Sequence, residues 1–509
     1  MLSRVLTSAV RGMKAVAVSV EVDINRGFPG IHVVGLGDET VKEAAARIKS
    51  AVRNSGYEFP VSNITVNLSP AWLRKKGSQF DLPMAIGILV SSGQVFDQGI
   101  SEICFIGELS LDGALNRCNG ILPMLSELRK CGVSRVIIPA ANETEAALFD
   151  DIDVYCAHSL AEVCDYLNLK NNLKKVQGID RRTLESKPCK GVYDKDFSDV
   201  KGQEFAKRAI TVAVSGGHGM FIVGSPGTGK TMLAERIPYI MPAPDFNEII
   251  EITSVYSISG MLDEKIGYIS RRPFRATGAA VTKAGLIGGG SSVKPGEITL
   301  AHKGVLFMDE FYEIDRNILD ALRIPLERKS VSFIRNGETY IFPCDFLLVA
   351  AANPCRCGYY GDPEHECSCT GREIERYRSR VSGPVLDRID INIELLSVRY
   401  DELDSGESLS SAEMSDVIEN ARERQAHRYR NERFSLNSQL PEGASAKYIK
   451  LGKSERDFLK DAYDRLSLNP RGLSKIRKLA RTIADVEDKE KIEISHIAEA
   501  LRYRERKLL

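Results

Sequence analysis

The stretch MFIVGSPGTGKTMLAERI, residues 220–237, constrains this chain more than any other. Its apolar opening, ending at Val223, reads as a buried strand, and helical spacing resumes after Thr231. Between them Gly224, Ser225, Pro226, Gly227, Thr228, Gly229, Lys230 and Thr231 satisfy G-x-x-x-x-G-K-[ST]. Glycines let the backbone curl so that its N–H groups surround phosphates at a helix N-terminus. Lys230 then reaches the β- and γ-phosphates, and the Thr231 hydroxyl offers an oxygen to Mg²⁺. The implied ligands are ATP and Mg²⁺.

Two further apolar runs agree with that loop. GVLFMDEF ends in Asp309 and Glu310. A carboxylate at such a strand end completes a Mg²⁺ shell, and its neighbour polarises the attacking water. Alone, two acids there are a solvated strand end; beside a phosphate loop they make a hydrolytic site. DFLLVAAANP ends at Asn353, whose amide can sense the γ-phosphate or the lytic water, or merely form a turn before Pro354.

The chain has 509 residues, which predicts two to four domains. Residues 1–168 read as mixed α/β and 169–195 as a linker. Residues 196–400 read as an α/β core in which strands alternate with helices around a parallel sheet. Residues 401–509 read as a helical domain. Lys+Arg and Asp+Glu both number 69, so overall charge neither favours nor excludes a polyanionic partner. No apolar run reaches the roughly 18 residues of a membrane span. The basic N-terminus superficially resembles a transit peptide, but AVAVSVEVDI alternates as a strand does. Eleven cysteines without a secretory signal predict a cytoplasmic protein with reduced thiols.

Four of those thiols crowd one loop, as Cys355-x-Cys357 and Cys367-x-Cys369. Four thiolates suit tetrahedral structural Zn²⁺, which stabilises a loop too small to own a core. The alternative is four reduced, uncoupled thiols, and His365 is a reserve ligand.

GSPGTGKT, GVLFMDE, VAAANPC and SGPVLDRIDI, in that order, resemble an AAA+ ATPase of the magnesium-chelatase-like branch. VGLGDETVKEAAARIKSAVRNSGYEFP, ITVNLSPA, FDLPMAIGIL, GELSLDG, IGGGSSVKPGEITLAHKGVLF and LARTIADVE extend the resemblance to the YifB/ComM family over nearly the whole chain. The resemblance implies a hexameric ring with ATP sites between subunits. It places Arg388 at the arginine-finger position and Arg471 at the second sensor, roles that suit a permanently charged, bidentate guanidinium. KSVSFIRNGETYIFPCD reads as a hairpin around Asn336-Gly337. The resembled branch points such an insertion at the ring pore, where Lys329 and Arg335 would meet DNA. Arg271, Arg272, Arg275 and Lys283, beside a glycine-rich loop, are further DNA candidates. Gly278 and Ala279 stand where the family has two histidines, so the role of those histidines is not carried over.

The first domain resembles the proteolytic domain of Lon-type proteases, which use a Ser–Lys dyad. Gln79 falls at the nucleophile position, with Ser78 one place early, and Leu122 falls at the lysine position. Proteolysis is therefore disfavoured, and Arg74, Lys75 and Lys76 read as a small basic patch or a solvated face. The family's competence-associated members imply a helicase or branch-migration motor in recombination and natural transformation. Its rivals are a chelatase-type motor remodelling a partner protein, a Lon-like protease and an ATP-gated assembly scaffold.

Overall fold

The computed structural model describes residues 2–504 apart from 98, 182–183, 185–194, 291–292, 336, 399–407 and 467. Part of the expected linker, the expected boundary at 400 and Asn336 of the hairpin turn lie outside the described residues. The chain forms two compact units, one of residues 1–186, 245–270 and 334–341, the other of 187–244, 271–333 and 342–509. Residues 245–270 and the hairpin tip, read from the sequence as parts of the 196–400 core, thus cluster with the first unit.

The first unit is built on an eight-stranded mixed sheet. The basic N-terminal segment is itself a strand, Leu2–Arg11, antiparallel to Lys14–Asn25 across a tight turn in which Gly12 takes φ +61°. Because successive side chains alternate between faces, the sheet covers two cores. Ile103, Phe105 and Ile137 lie in one, and Cys104, Val136 and Ile138 in the other. Helix Glu39–Asn54 starts where Asp38 accepts a hydrogen bond from the Val41 amide, and it buries Val41, Ala44, Ile48, Ala51 and Val52 at helical spacing. Helix Asp81–Ser91 is buried on every side. Helix Phe246–Ser259 joins this unit through Ile249, which packs with Leu122, Leu148 and Leu184. Its Ser257 hydroxyl donates to buried Glu145 (2.5 Å) and accepts from the Gly120 amide (2.8 Å).

The second unit carries the parallel sheet that the alternating runs predict. Its five strands stand in the order Phe274–Thr277, Val305–Met308, Leu347–Ala352, Met220–Gly224, Ile391–Leu395, all parallel. The central three are continuous apolar runs, as a sheet covered on both faces requires. In a doubly covered parallel sheet ligands lie outside the carboxyl ends of the strands, which is where the loops after Gly224, Met308 and Ala352 emerge. The C-terminal region is helical, with Ser411–Tyr429, Lys453–Arg465, Pro470–Val486 and Ile494–Arg502. Ser410 and Glu413 cap the first reciprocally, and Asn469 with Pro470 opens the third. No described helix is long and apolar enough to cross a membrane.

Candidate nucleotide site

The phosphate loop leaves its strand at Gly224, where a Cβ would stand 2.8 Å from the Thr228 hydroxyl and 2.9 Å from the Leu395 carbonyl. Gly227 and Gly229 take φ +82° and +89°, a left-handed backbone that glycine enters without strain. Gly229 then precedes helix Lys230–Ile240. Lys230 folds back onto its own loop, with Nζ donating to the carbonyls of Gly224 (2.7 Å) and Ser225 (2.9 Å) and to Asn353 Oδ1 (3.1 Å). Burial holds its ammonium below the usual lysine range, opposed by the charge of Asp309. The Thr231 hydroxyl donates to Asp309 Oδ2 at 3.3 Å. Glu310 is exposed beside it at φ +50°, its N–H held by Asp309 Oδ1 at 2.8 Å. A glutamate in that region is a strained backbone of the kind that gathers at reaction centres. Lys230, Thr231, Asp309, Glu310 and Asn353 are thereby brought to one edge of one sheet.

Arg388 and Arg471 meet elsewhere. Both donate to Glu327 Oε1, at 2.6 and 3.4 Å. They line a cleft of about 560 Å³ with Lys329, Asp390, Lys475 and Lys478, and no phosphate-loop residue contributes to its wall. In its wall Asp390 accepts from Lys475 (2.5 Å) and pairs with the buried His218 ring (2.8 Å), whose other nitrogen faces the Thr482 hydroxyl at 2.8 Å. Burial by itself would raise the Asp390 carboxyl; Lys475 and His218 instead hold it well below the usual range.

The four clustered cysteines do converge, with all four Sγ atoms within 4.8 Å of one another. Three of their separations are 3.3, 3.6 and 3.7 Å, close to the about 3.8 Å edge of a Zn–S₄ tetrahedron. The donor set therefore fits structural zinc. His365 is not among the converging ligands: its ring lies against Tyr359 and its Nδ1 faces Asp362 at 3.3 Å. The cysteine loop also grips the phosphate loop. The Asp362 carboxyl takes hydrogen bonds from the Ser225 side chain and from the amides of Glu364 (2.9 Å) and His365 (3.0 Å), which hold it well below the ordinary carboxylate range. At Gly358 a Cβ would stand 2.8 Å from the Pro226 ring. Sequence reasoning missed Asp362 and Glu327, because neither belongs to a spaced motif.

The basic candidates divide. Arg272 is a brace, donating to the carbonyls of Pro242 (2.5 Å), Lys303 (2.8 Å) and Ala243 (3.4 Å). Arg275 forms a two-bond pair with Glu297 at 2.6 and 2.8 Å. Lys329 pairs with Asp345 at 3.2 Å. Arg271, Lys283 and Arg335 are exposed. In the first unit the expected Arg74–Lys75–Lys76 patch is corrected at its centre. Lys75 is fully buried, its Nζ donating to the carbonyls of Leu68 (2.7 Å) and Pro70, because the chain turns it inward between exposed Arg74 and half-buried Lys76. Gln79 donates to the Lys76 carbonyl (2.9 Å), Ser78 donates to Glu108, and Leu122 is core.

The chain matches the family description "Magnesium chelatase, subunit ChlI" over residues 196–403, "Subunit ChlI of Mg-chelatase" over 20–142 and "Magnesium chelatase, subunit ChlI C-terminal" over 408–504. It is 38% identical to competence protein ComM of Haemophilus influenzae and 37% identical to the uncharacterized protein YifB of Escherichia coli, in each case over 99% of this chain and 97% of the relative. A 67 kDa magnesium-chelatase subunit of Chlorobaculum parvum is 28% identical over 31% of this chain and 23% of that protein. With its phosphate loop on a parallel sheet and a helical C-terminal region, the chain belongs to the YifB/ComM family of magnesium-chelatase-like AAA+ proteins.

Proposed function

We propose that this protein is a Mg²⁺-dependent ATP-hydrolysing ring motor that acts on DNA, as a helicase or branch-migration engine in recombination and natural transformation. The observation that carries the motor is the separation of its parts. The phosphate loop, Asp309, Glu310 and Asn353 share one sheet edge, while Arg388 and Arg471 line another cleft and share Glu327, with Arg388 held as well by the carbonyls of Arg323 (3.1 Å) and Pro384 (2.6 Å). Guanidiniums so placed serve a neighbour's triphosphate, which makes the working site an inter-subunit one and the assembly a closed ring, six subunits on the family pattern. DNA enters through the relative named a competence protein, through exposed Arg271, Lys283 and Arg335, and through Lys329 should Asp345 release it.

Phosphate binding displaces Lys230 from the Gly224 and Ser225 carbonyls and from Asn353, which frees the amide to orient water. Thr231 and Asp309 would hold Mg²⁺, which would supply charge neutralisation as the phosphoryl group transfers. Glu310 accepts the proton of the attacking water. Cys355, Cys357, Cys367 and Cys369 hold Zn²⁺, which fixes the loop that carries Asp362. The first unit is a Lon-like scaffold without a peptidase centre, since Gln79 is bonded to a carbonyl and Leu122 is buried where a nucleophile and a base would stand. The compartment is the cytoplasm, where thiols stay reduced and free to hold a metal.

ATP turnover with and without single-stranded, duplex and branched DNA, beside Glu310→Gln, tests this reading. Turnover is expected to rise with DNA, and to fall at least about a hundredfold in the variant while nucleotide binding persists. A flat response to every DNA would remove DNA from the function and favour the chelatase-type motor, which the family descriptions support equally.

A further inference from the structure

The 509 residues include one tryptophan, Trp72, and it is 58% exposed in the first unit. Single exposed apolar side chains are ordinary, but the company of this one is not. The Arg11 guanidinium lies over the indole with its carbon 5.6 Å from the ring centroid. Arg11 is only loosely held: its Nε is buried without a hydrogen-bond partner, and its carboxylate neighbour Glu338 stands at 3.8 Å. Arg74, two residues after Trp72, is exposed, and no described carboxylate pairs with it.

The hairpin tip completes the cluster. Gly12 packs against the Tyr340–Ile341 backbone, and the charges of Arg11 and Arg74 both act on the Tyr340 hydroxyl, which donates to Glu338 at 2.7 Å. Side chains alternate along each hairpin strand, so Glu338, Tyr340 and Phe342 share one face. The Phe342 ring meets Phe333 at 6.1 Å, which puts Phe333, and with it exposed Arg335, on that same face. Exposed Ile334 and Ile341 fall on the other one.

We propose that Trp72, Arg11, Arg74 and Arg335 form a base-stacking site for single-stranded nucleic acid on the first unit. This deepens the DNA-motor reading and rests on it. An indole held on one side by a guanidinium offers its open face to a base, and arginines bind the adjoining phosphates in bidentate fashion. A duplex hides its base faces within the stack, so the site selects unpaired strands. A protein partner would call for an apolar rim, whereas the rim of this site is arginine and glutamate.

The lone tryptophan makes the test direct. Full-length protein is titrated with dT20 at low salt while tryptophan emission and the anisotropy of end-labelled dT20 are followed together, with a 20-base-pair duplex and heparin as comparators. Emission is expected to be quenched along the same saturation curve as the anisotropy, less by the duplex and not by heparin. Trp72→Ala should weaken dT20 binding about tenfold, and Trp72→Phe by less than about threefold, with DNA-free ATP turnover unchanged in both. If dT20 binds with unaltered emission and Trp72→Ala binds as the parent does, the stacking site is wrong while the DNA-motor reading stands. Equal quenching by heparin would likewise reduce the patch to an ionic surface. If no DNA binds and none stimulates turnover, the motor reading falls and this site falls with it.

Discussion

Glu310 holds a left-handed backbone that costs of order 1–3 kcal/mol for a residue with a side chain, and it is kept there by bonds on both sides. Its own amide is tied to Asp309 Oδ1, and the next amide, of Phe311, donates to the Ala351 carbonyl on the neighbouring strand (2.9 Å). The backbone that carries the carboxylate is thus fixed by the sheet. Asp390 illustrates a different residue-level device, an anion in the wall of the arginine cleft held between Lys475 and His218. Asp390→Asn leaves a mostly buried ammonium without its counter-ion and should cost about 3 kcal/mol of stability at neutral pH. Because the folded carboxyl titrates below its unfolded value of about 3.9, the contribution is complete above that pH and declines as pH falls beneath it. Denaturant unfolding across pH should therefore show a constant gap between parent and variant above about pH 4 that narrows steadily as pH falls below it, and a gap that does not narrow would refute the assignment. The phosphate loop and Asp309 were legible because their chemistry depends on spacing within one short segment. Lys75 was not. Between Arg74 and Lys76 it reads as solvated, and its burial depends on where the carbonyls of residues 68 and 70 come to lie.

Elements were read well wherever one period ran unbroken. The three central strands of the parallel sheet lie where their apolar runs put them, and the stretch read as helical holds Ser411–Tyr429 and Pro470–Val486. What no period encodes is which element leans on which. The cysteine loop is the clearest case, since its thiols suit a metal but nothing in them announces that Asp362 and Gly358 press on Ser225 and Pro226. That contact gives a prediction for metal removal. Elemental analysis should find about one zinc per chain. Chelation should weaken nucleotide binding severalfold by loosening the support of the phosphate loop, and an unchanged nucleotide affinity in metal-free protein would show that the cysteine loop and the phosphate loop act independently. Arg272 and Arg275 teach the same lesson from the other direction. Their charges mark them for phosphate, yet carbonyls and Glu297 already occupy them.

For the whole molecule, the position of Arg388 away from the phosphate loop makes a demand on assembly. Arg388→Ala and Glu310→Gln should each abolish turnover alone, one by removing the group given to a neighbour and the other by disabling the recipient site. Mixed in equal amounts they should regain about a quarter of the parent rate, since random neighbours pair an intact arginine with an intact glutamate that often. Mixtures no more active than either variant would place the arginine outside its neighbour's site. The division of the chain carries a separate consequence. It passes between the two units at residues 186–187, 244–245, 270–271, 333–334 and 341–342, so that the first unit is assembled from three separate lengths of polypeptide. Trimming at the linker, the obvious way to isolate the engine, leaves Phe246–Ser259 behind with Ile249 stripped of Leu122, Leu148 and Leu184. A shortened gene product of that design would carry an apolar helix face with nothing to cover it, and its silence in an assay would say nothing about what the missing piece does.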